Sequence, residues 1–448
     1  MSISNILNIS KQALLSHQSA IDTTSNNISN MNTEGYTRRL TNFDQGLGIN
    51  QISKNVSDDI VSRVRNSFLE KQFIHQNSYS AKYSMDNTIA KQIEDILSEP
   101  GEAGLSNSLS DFWMAWSDLA NNPESQAVRT VVKDKSQALV NTFNRVYNDL
   151  HQLQNSIKDN LSNKVDSINQ KLKQLNQINN QLNSNKSDDL LDQRDSLLSE
   201  LSELINIETN FGENGRVSIY SNGQILVSGN QASELKLEKK EDGSGLLQVK
   251  AGNTEDGIRV KAGEIGSILS MHNKNIPDYI EKLNTLATNL SQQVNKVHRS
   301  GYNLDDITGI NFFADNITTA GDFRLNEKIV AEPGLIATSD ETGEPGNNNI
   351  AQSINNLRSE KIIKGVRPDD FYGAFVTEIG SKVQESEYLS SSQEKVVKTI
   401  QNQRDSSSGV SLDEEMINLT KYEQGYQAAA KVVNTVNDMM YTVLNLIQ

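Results

Sequence analysis

The chain has 448 residues, of which only 35% are hydrophobic and 6% aromatic, and it contains no cysteine. A net charge of −15 with no Lys/Arg stripe leaves no phosphate-neutralising surface for nucleic acid and sets the chain against acidic membranes. Without thiols, disulfides, thiolate zinc sites and cysteine nucleophiles are excluded. Two or three domains fit this length, but the small share of core-forming residues predicts an elongated, mainly α chain with thin helical bundles, not one thick globule.

The opening MSISNILNISKQALLSHQ is amphipathic and lacks the apolar stretch of a secretory signal. No run approaches the roughly 18 apolar residues of a membrane span, so any export is expected to proceed without a cleaved signal. Leu7, Leu14, Ile21 and Ile28 recur every seven residues, with Ile6, Ala13 and Ala20 beside them, which predicts a coiled-coil-like terminal helix. Asn27, Asn30, Asn32, Gly35 and Tyr36 mark its end and turn the chain outward. Arg38 and Arg39 then form a basic edge, suited to an acidic neighbouring subunit or simply to solvent.

From Glu124 to Phe211 there is neither Gly nor Pro. Leu139, Phe143, Val146, Leu150, Leu153 and Ile157, then Leu161, Val165, Ile168, Leu172, Leu175 and Leu182, fall on one helix face. A long packed helix is therefore expected, then the polar loop NSNKSDD and a second helix from about Leu190 to Ile207. Ser187 to Asp189 suit its N-terminus, and Arg194 can pair with the acids around it.

The period changes at Phe211. RVSIYSNGQILVSG reads as a hairpin about Asn222-Gly223, ELKLEKKEDGSGLLQVK as a second, and GIRVKAG as a further strand. A small β-domain over 211–263 is thus inserted into a helical body over 37–210 and 264–411. Helical periodicity returns from Ile265 to Arg299. Residues 301–370 read as loops and short elements packed on that body, with SDETGEPGNNN exposed.

At the C-terminus Leu412, Leu419, Tyr426, Val433, Met440 and Ile447 repeat every seven residues, with Met416, Ala430 and Leu444 at half-heptad positions. Segments 1–36 and 412–448 have matched lengths of about 45 to 54 Å and are expected to pair. Tyr422, Val432, Val436 and Val443 lie off the seam and would stay exposed on a lone hairpin, to be covered by neighbouring copies. An ordinary two-helix stem is the alternative. Ser411 and Glu414 suggest a capping box. Gly425 implies either close helix approach or simple tolerance.

ALLSHQSAIDTTSNNISNMNTEGYTRR (Ala13 to Arg39) and SGVSLDEEMINLTKYEQGYQAAAKVVNTVNDMMYTVLNL (Ser408 to Leu446) resemble the terminal signatures of the flagellar rod, hook and hook-associated protein family. The signature positions include Asn27, Asn30, Asn32, Thr33, Gly35, Tyr36, Asp413, Glu414, Glu415 and Gln427. DDLLDQRDSLLSELSELINI and GEIGSILSMHNKNIPDYIEKLNTLATNLSQQVNKVHRSGYNL resemble the helices flanking the β-insert in the hook-associated protein 1 branch. The resemblance covers about a third of the chain and does not extend to the β-insert. It implies terminal helices lining an axial tube, a helical shell outside them and a projecting β-domain. It also implies unfolded type III export with a dedicated chaperone, a homo-oligomeric ring on the hook protein, and contact with the next junction protein, hook-associated protein 3. Location would be extracellular, at the hook–filament junction, with no cofactor. Another axial subunit, such as the hook or distal rod protein, is the alternative, against which the long helical stretch argues.

An enzymatic reading finds little support. The acids Asp188, Asp189, Asp192 and Asp195 suit capping or subunit contacts. The five histidines His17, His75, His151, His272 and His298 lack metal-ligand spacing, and His298 suits a cap or packing role. Ser408 and Ser411 have no elbow motif or sequence-near His-acid pair. A muralytic enzyme or a type III tip protein would not be expected to carry both terminal signatures.

Overall fold

The computed structural model describes residues 3–33, 35–43, 61–99, 101, 104–242, 244–252 and 257–445. Helix α1 (Ile3–Ser29) leads into a short antiparallel ribbon of β1 (Arg39–Thr41) and β2 (Val61–Arg63). Helices α2 (Ser67–Leu97), α3 (Leu105–Asn121), α4 (Gln126–Ser184) and α5 (Asp188–Leu204) follow. The insert holds β3 (Glu208–Phe211), β4 (Val217–Ser221), β5 (Gln224–Ser228), β6 (Gln231–Ala232), β7 (Leu235–Lys239) and β8 (Leu247–Ala251). Helices α6 (Gly263–Ser270), α7 (Ile276–His298), α8 (Glu327–Ala331), α9 (Asn349–Asn356), α10 (Pro368–Ser408) and α11 (Leu412–Asn445) complete it.

The 59 residues of α4 reach about 90 Å at 1.5 Å per residue. Its expected apolar row is buried from Leu139 to Leu182, with Leu153 only partly covered. The Ser125 hydroxyl caps α4 by accepting from the Val128 N–H, and the chain turns at the NSNKSDD loop. Helices α2 and α10 pack along each other and were not singled out by periodicity. Their contact mixes few apolar residues with polar links, such as Arg404 to Glu70 at 2.9 Å and Gln393 to the Gln76 carbonyl at 3.1 Å. Only Tyr372, Phe375, Ile379, Val383 and Ile400 supply buried apolar side chains on α10.

In the insert, β3-β4-β5-β6 form one antiparallel sheet and β7-β8 a separate hairpin. Asn222 and Gly223 both take positive φ (47° and 86°), as the two-residue turn requires. GIRVKAG is not a strand: Ile258 makes one isolated bridge to Val249, and the chain then enters α6. Helices α6 and α7 join through a π-turn at Met271–Asn275. It turns the Asn273 amide onto the Leu247 backbone, donating to its carbonyl at 2.8 Å and accepting its N–H at 2.9 Å, and so fastens β8 to the body.

Residues 301–370 supply part of the core instead of only lying on it. Phe312, Phe313, Phe323 and Ile336 are fully buried, and Phe312 packs at 5.1 Å from the Trp116 ring. Arg129, also fully buried, donates to the carbonyls of Pro123, Gly334 and Ile336 and to the Thr338 hydroxyl. Next to it His298 closes α7. Its Nδ1–H donates to the Ile310 carbonyl at 2.8 Å, and its Nε2 accepts the Ala337 N–H at 2.9 Å. A carbonyl can only accept and an amide N–H can only donate, so the ring is held neutral in one tautomer.

Burial, seconded by Arg129, pushes His298 from 6.5 down to about 4. An unfolded chain therefore takes up this proton first as pH falls. The associated stability is complete above about pH 6.5 and is lost on the way down to pH 4, amounting to about 3 kcal/mol. Replacing His298→Gln should flatten that interval in urea unfolding measured from pH 7 to 4. Equal slopes in both proteins would assign the acid sensitivity to other groups.

Candidate assembly site

Helices α1 and α11 make their most extensive contacts with each other. On α1 the buried residues are Ser10, Ala20, Thr23, Thr24 and Asn27, while Leu7, Leu14, Ile21 and Ile28 are half-buried. On α11 the buried residues are Glu415, Ala429 and Val436, with Asn418, Tyr422 and Gly425 half-buried between them.

This corrects the expected seam. Among its residues Leu412 (43% exposed), Met416 (51%), Tyr426, Met440 and Leu444 (59%) face outward. Leu419, Ala430 and Val433 are half-buried, and Ile447 lies outside the described residues. Val436, expected to be exposed, is buried, and Tyr422 is half-covered, whereas Val432 and Val443 are exposed as expected.

The helix is turned by its anchor and its small residues. Glu415 is drawn inward at the first turn. At Gly425, a Cβ would run into the His17 ring, so close approach and not mere tolerance explains this glycine. The His17 ring lies 5.4 Å from Phe43 at a 50° tilt, and Phe43 lies 5.6 Å from Tyr422. Burial pushes the Tyr422 hydroxyl upward in pKa, and Glu415 adds to the shift.

Half of the twenty-four large apolar side chains left exposed among the described residues lie on these two helices. They include Ile9, Leu15, Ile417, Met439 and Tyr441 besides the outward residues already named. Small and polar groups thus face inward, and the bulkiest apolar ones face away.

The signature residues fall into two groups. Asn27 is the hub: its amide donates to the Arg39 carbonyl (2.8 Å) and to Glu415 Oε2 (3.0 Å), while its Oδ1 accepts from Tyr36 Oη (2.8 Å) and the Arg39 N–H (3.1 Å). Arg38 donates to Glu415 (2.8 Å) and Glu414 (2.9 Å). Glu414 thus turns to Arg38 instead of closing a capping box on Ser411. The Arg38 N–H also bonds the Ser408 carbonyl. Gly35 takes φ +80° where the chain doubles back. Asn30 serves the turn locally, donating to the Asn26 carbonyl and accepting from Thr33. Asn32, Thr33, Asp413 and Gln427 stay on the surface.

Asp188 and Asp189 occupy the first turn of α5, and its acids pair with arginines of the same chain. Ser187 makes no side-chain capping bond. Arg39 pairs with Asp189 (2.6 Å) and Asp192 (3.3 Å), Arg63 with Asp192 (2.5 Å) and Asp195 (3.0 Å), and Arg65 with Asp195 (3.2 Å). Arg194 pairs with Asp195 at 2.6 Å, and its guanidinium and that of Arg65 both lie over the Phe211 ring. Burial pushes Asp192 above its usual range against the pull of Arg63 and Arg39, and lowers Arg194. Sequence reading missed Arg63 and Arg65 altogether. The available signal was the Asp188, Asp192, Asp195 spacing, which lines one face of α5. No group of three or more His, Asp or Glu among the described residues is arranged to hold a metal ion.

The model described as "Flagellar hook-associated protein FlgK helical domain" matches residues 90–313, and those for the flagellar basal body rod FlgEFG C-terminal region and the flagella basal body rod protein match 396–446 and 7–37. Flagellar hook-associated protein 1 of Bacillus subtilis (strain 168) is 28% identical over 98% of this chain and 97% of its own. That of Escherichia coli (strain K12) is 24% identical over 99% and 100%. The flagellar hook junction protein FlgK from Burkholderia pseudomallei shares the fold, with a TM-score of 0.68, 15% identity, and coverage of 76% of this chain and 100% of that one. With half of its length matched by the helical-domain model and both termini by rod-type models, this chain belongs to the flagellar hook-associated protein FlgK family.

Proposed function

We propose that the chain is a self-assembling structural subunit that forms the junction ring between hook and filament. The observation that carries this reading is the unpartnered apolar row of α11 from Leu412 through Met416, Tyr426 and Met440 to Leu444. At about 25 cal/mol per Å², covering some 300 Å² of it per neighbour contributes roughly 7 kcal/mol before ordering costs, repeated around a ring. Segments 1–36 and 412–448 supply the inner tube, 37–210 and 264–411 the body, and 211–263 the projecting insert. The hook protein and hook-associated protein 3 are its axial neighbours. An export chaperone covers the C-terminal row before assembly, and passage through the type III apparatus explains a chain used outside the cell. The alternative of a hook or distal rod subunit fits the termini but not the helical body that the family model matches.

Two predictions test this. Met416→Asp with Met440→Asp should leave the monomer folded, because both side chains already face water, yet give cells with hooks and no filaments. Removing 420–448 should leave the body folded while undoing the helical pair, and give the same cells; normal filaments in either strain would refute the assignment. Separately, Asn27→Ala strands the buried Glu415 and the Arg39 backbone, a loss of about 2–4 kcal/mol to the helical pair. Amide exchange should quicken over 20–29 and 412–422 while the buried stretch of α4 keeps its protection. Uniform protection would show that the hub does not hold the pair.

A further inference from the structure

We propose that the charged cluster between the β1–β2 ribbon and α5 is an orienting joint, which fixes the direction of the terminal helical pair relative to the body in each separate molecule. The pair is linked to the body by two stretches of chain, residues 30–38 and 409–411, in which no described residue is helical or strand. Such links permit many directions. The extensive contacts of α1 and α11 are with each other and with the adjoining ribbon, not with the body helices, so the ribbon's attachment to the body must select the direction.

The cluster has the form needed. Asp192 is shared by Arg39 and Arg63, and Asp195 by Arg63, Arg65 and Arg194. Each carboxylate thereby holds two or more guanidinium groups, and Arg63 bridges both carboxylates, so the position of each member is tied to that of the others. The core of the cluster is largely out of water, with Arg63 6% exposed, Asp195 11% and Arg194 1%. It is also coupled at both ends. Arg39 is bonded through its backbone to Asn27 of α1, and Val64 N–H donates to the Arg38 carbonyl, while Arg38 holds Glu415 of α11. On the other side Arg65 and Arg194 lie over the ring of Phe211 of β3. One cluster therefore connects both terminal helices with α5 and the base of the β-insert. Losing a carboxylate would leave a buried guanidinium unpaired, so alternative directions become competitive.

The consequence rests on the ring reading, because a subunit that arrives with its end helices pre-aimed has less orientational freedom to lose on joining. The geometry does not rest on it. The absence of cysteine makes the test direct. Nitroxide labels on Gln12→Cys of α1 and Gln177→Cys of α4, both exposed positions, report the direction of the pair as a distance distribution by pulsed electron resonance on the full chain. A single narrow distance is expected in the parent and should be lost in Asp192→Asn/Asp195→Asn and in Arg63→Gln. The exposed Asp159→Asn of α4, outside the cluster, should leave it in place. If the double variant does not fold, Arg63→Gln decides alone. A distribution already broad in the parent, or unchanged in the folded variants, overturns the proposal. Filament loss in the Met416→Asp/Met440→Asp strain is scored independently, so the joint and the ring reading can fail separately.

Discussion

The structure depends on a buried polar contact between residues far apart in the chain. Asn27 and Glu415, 388 positions apart, meet at 3.0 Å with each residue about 1% exposed. A carboxylate taken out of water is costly unless charge and hydrogen bonds replace its hydration. Here Arg38 and the Asn27 amide do so together. The same amide group satisfies the backbone of Arg39 and the Tyr36 hydroxyl. The turn after α1, the start of α11 and the entry to the ribbon are thus one cooperative unit, in which no member is satisfied without the others.

Much else follows from that anchor. With Glu415 inward, the residues at seven-residue steps after it, Tyr422, Ala429 and Val436, meet α1. The row beginning at Leu412 must then face away. Gly425 and Ala429 let the helices approach closely, and His17 occupies the space a side chain at 425 would need. A pair assembled this way buries little apolar area of its own, which is the expected state of a helix pair whose stability is completed by further copies.

Legibility in the sequence divided along physical lines. The α4 row, the Asn222-Gly223 hairpin and the two terminal helices could be read because each has a strong period or an obligatory turn residue. Helices α2 and α10 could not, because their mutual contact is partly polar and sparse, as at Gln393 and Gln76. GIRVKAG alternates like a strand, but a single bridge to Val249 ends its pairing. The C-terminal seam was misplaced because seven-residue periodicity identifies an apolar row without saying whether the sister helix or another molecule covers it. Nothing local marks Glu415 as the residue that decides. The acids of α5 fit a helix start so well that their arginine partners, from residues 39 to 65, could not be inferred from spacing alone.

The charge distribution separates folding from association. The whole chain carries −15, which keeps copies apart in solution. Helix α1 has one Lys and one Asp, Lys11 and Asp22, and α11 beyond Glu423 again has only Lys431 and Asp438. These stretches are net neutral, so bringing them together among many copies does not place like charges in a poorly screened interior, where each unit pair would count for several kcal/mol. The charged groups of the ends are instead concentrated at the joint, where Arg38 and Arg39 meet Glu414, Glu415 and the α5 acids within the same chain. In the proposed assembly, intramolecular charge pairing would fix each subunit's shape and leave the uncharged apolar surface for contact between subunits. The two sets of interactions therefore do not compete for the same residues.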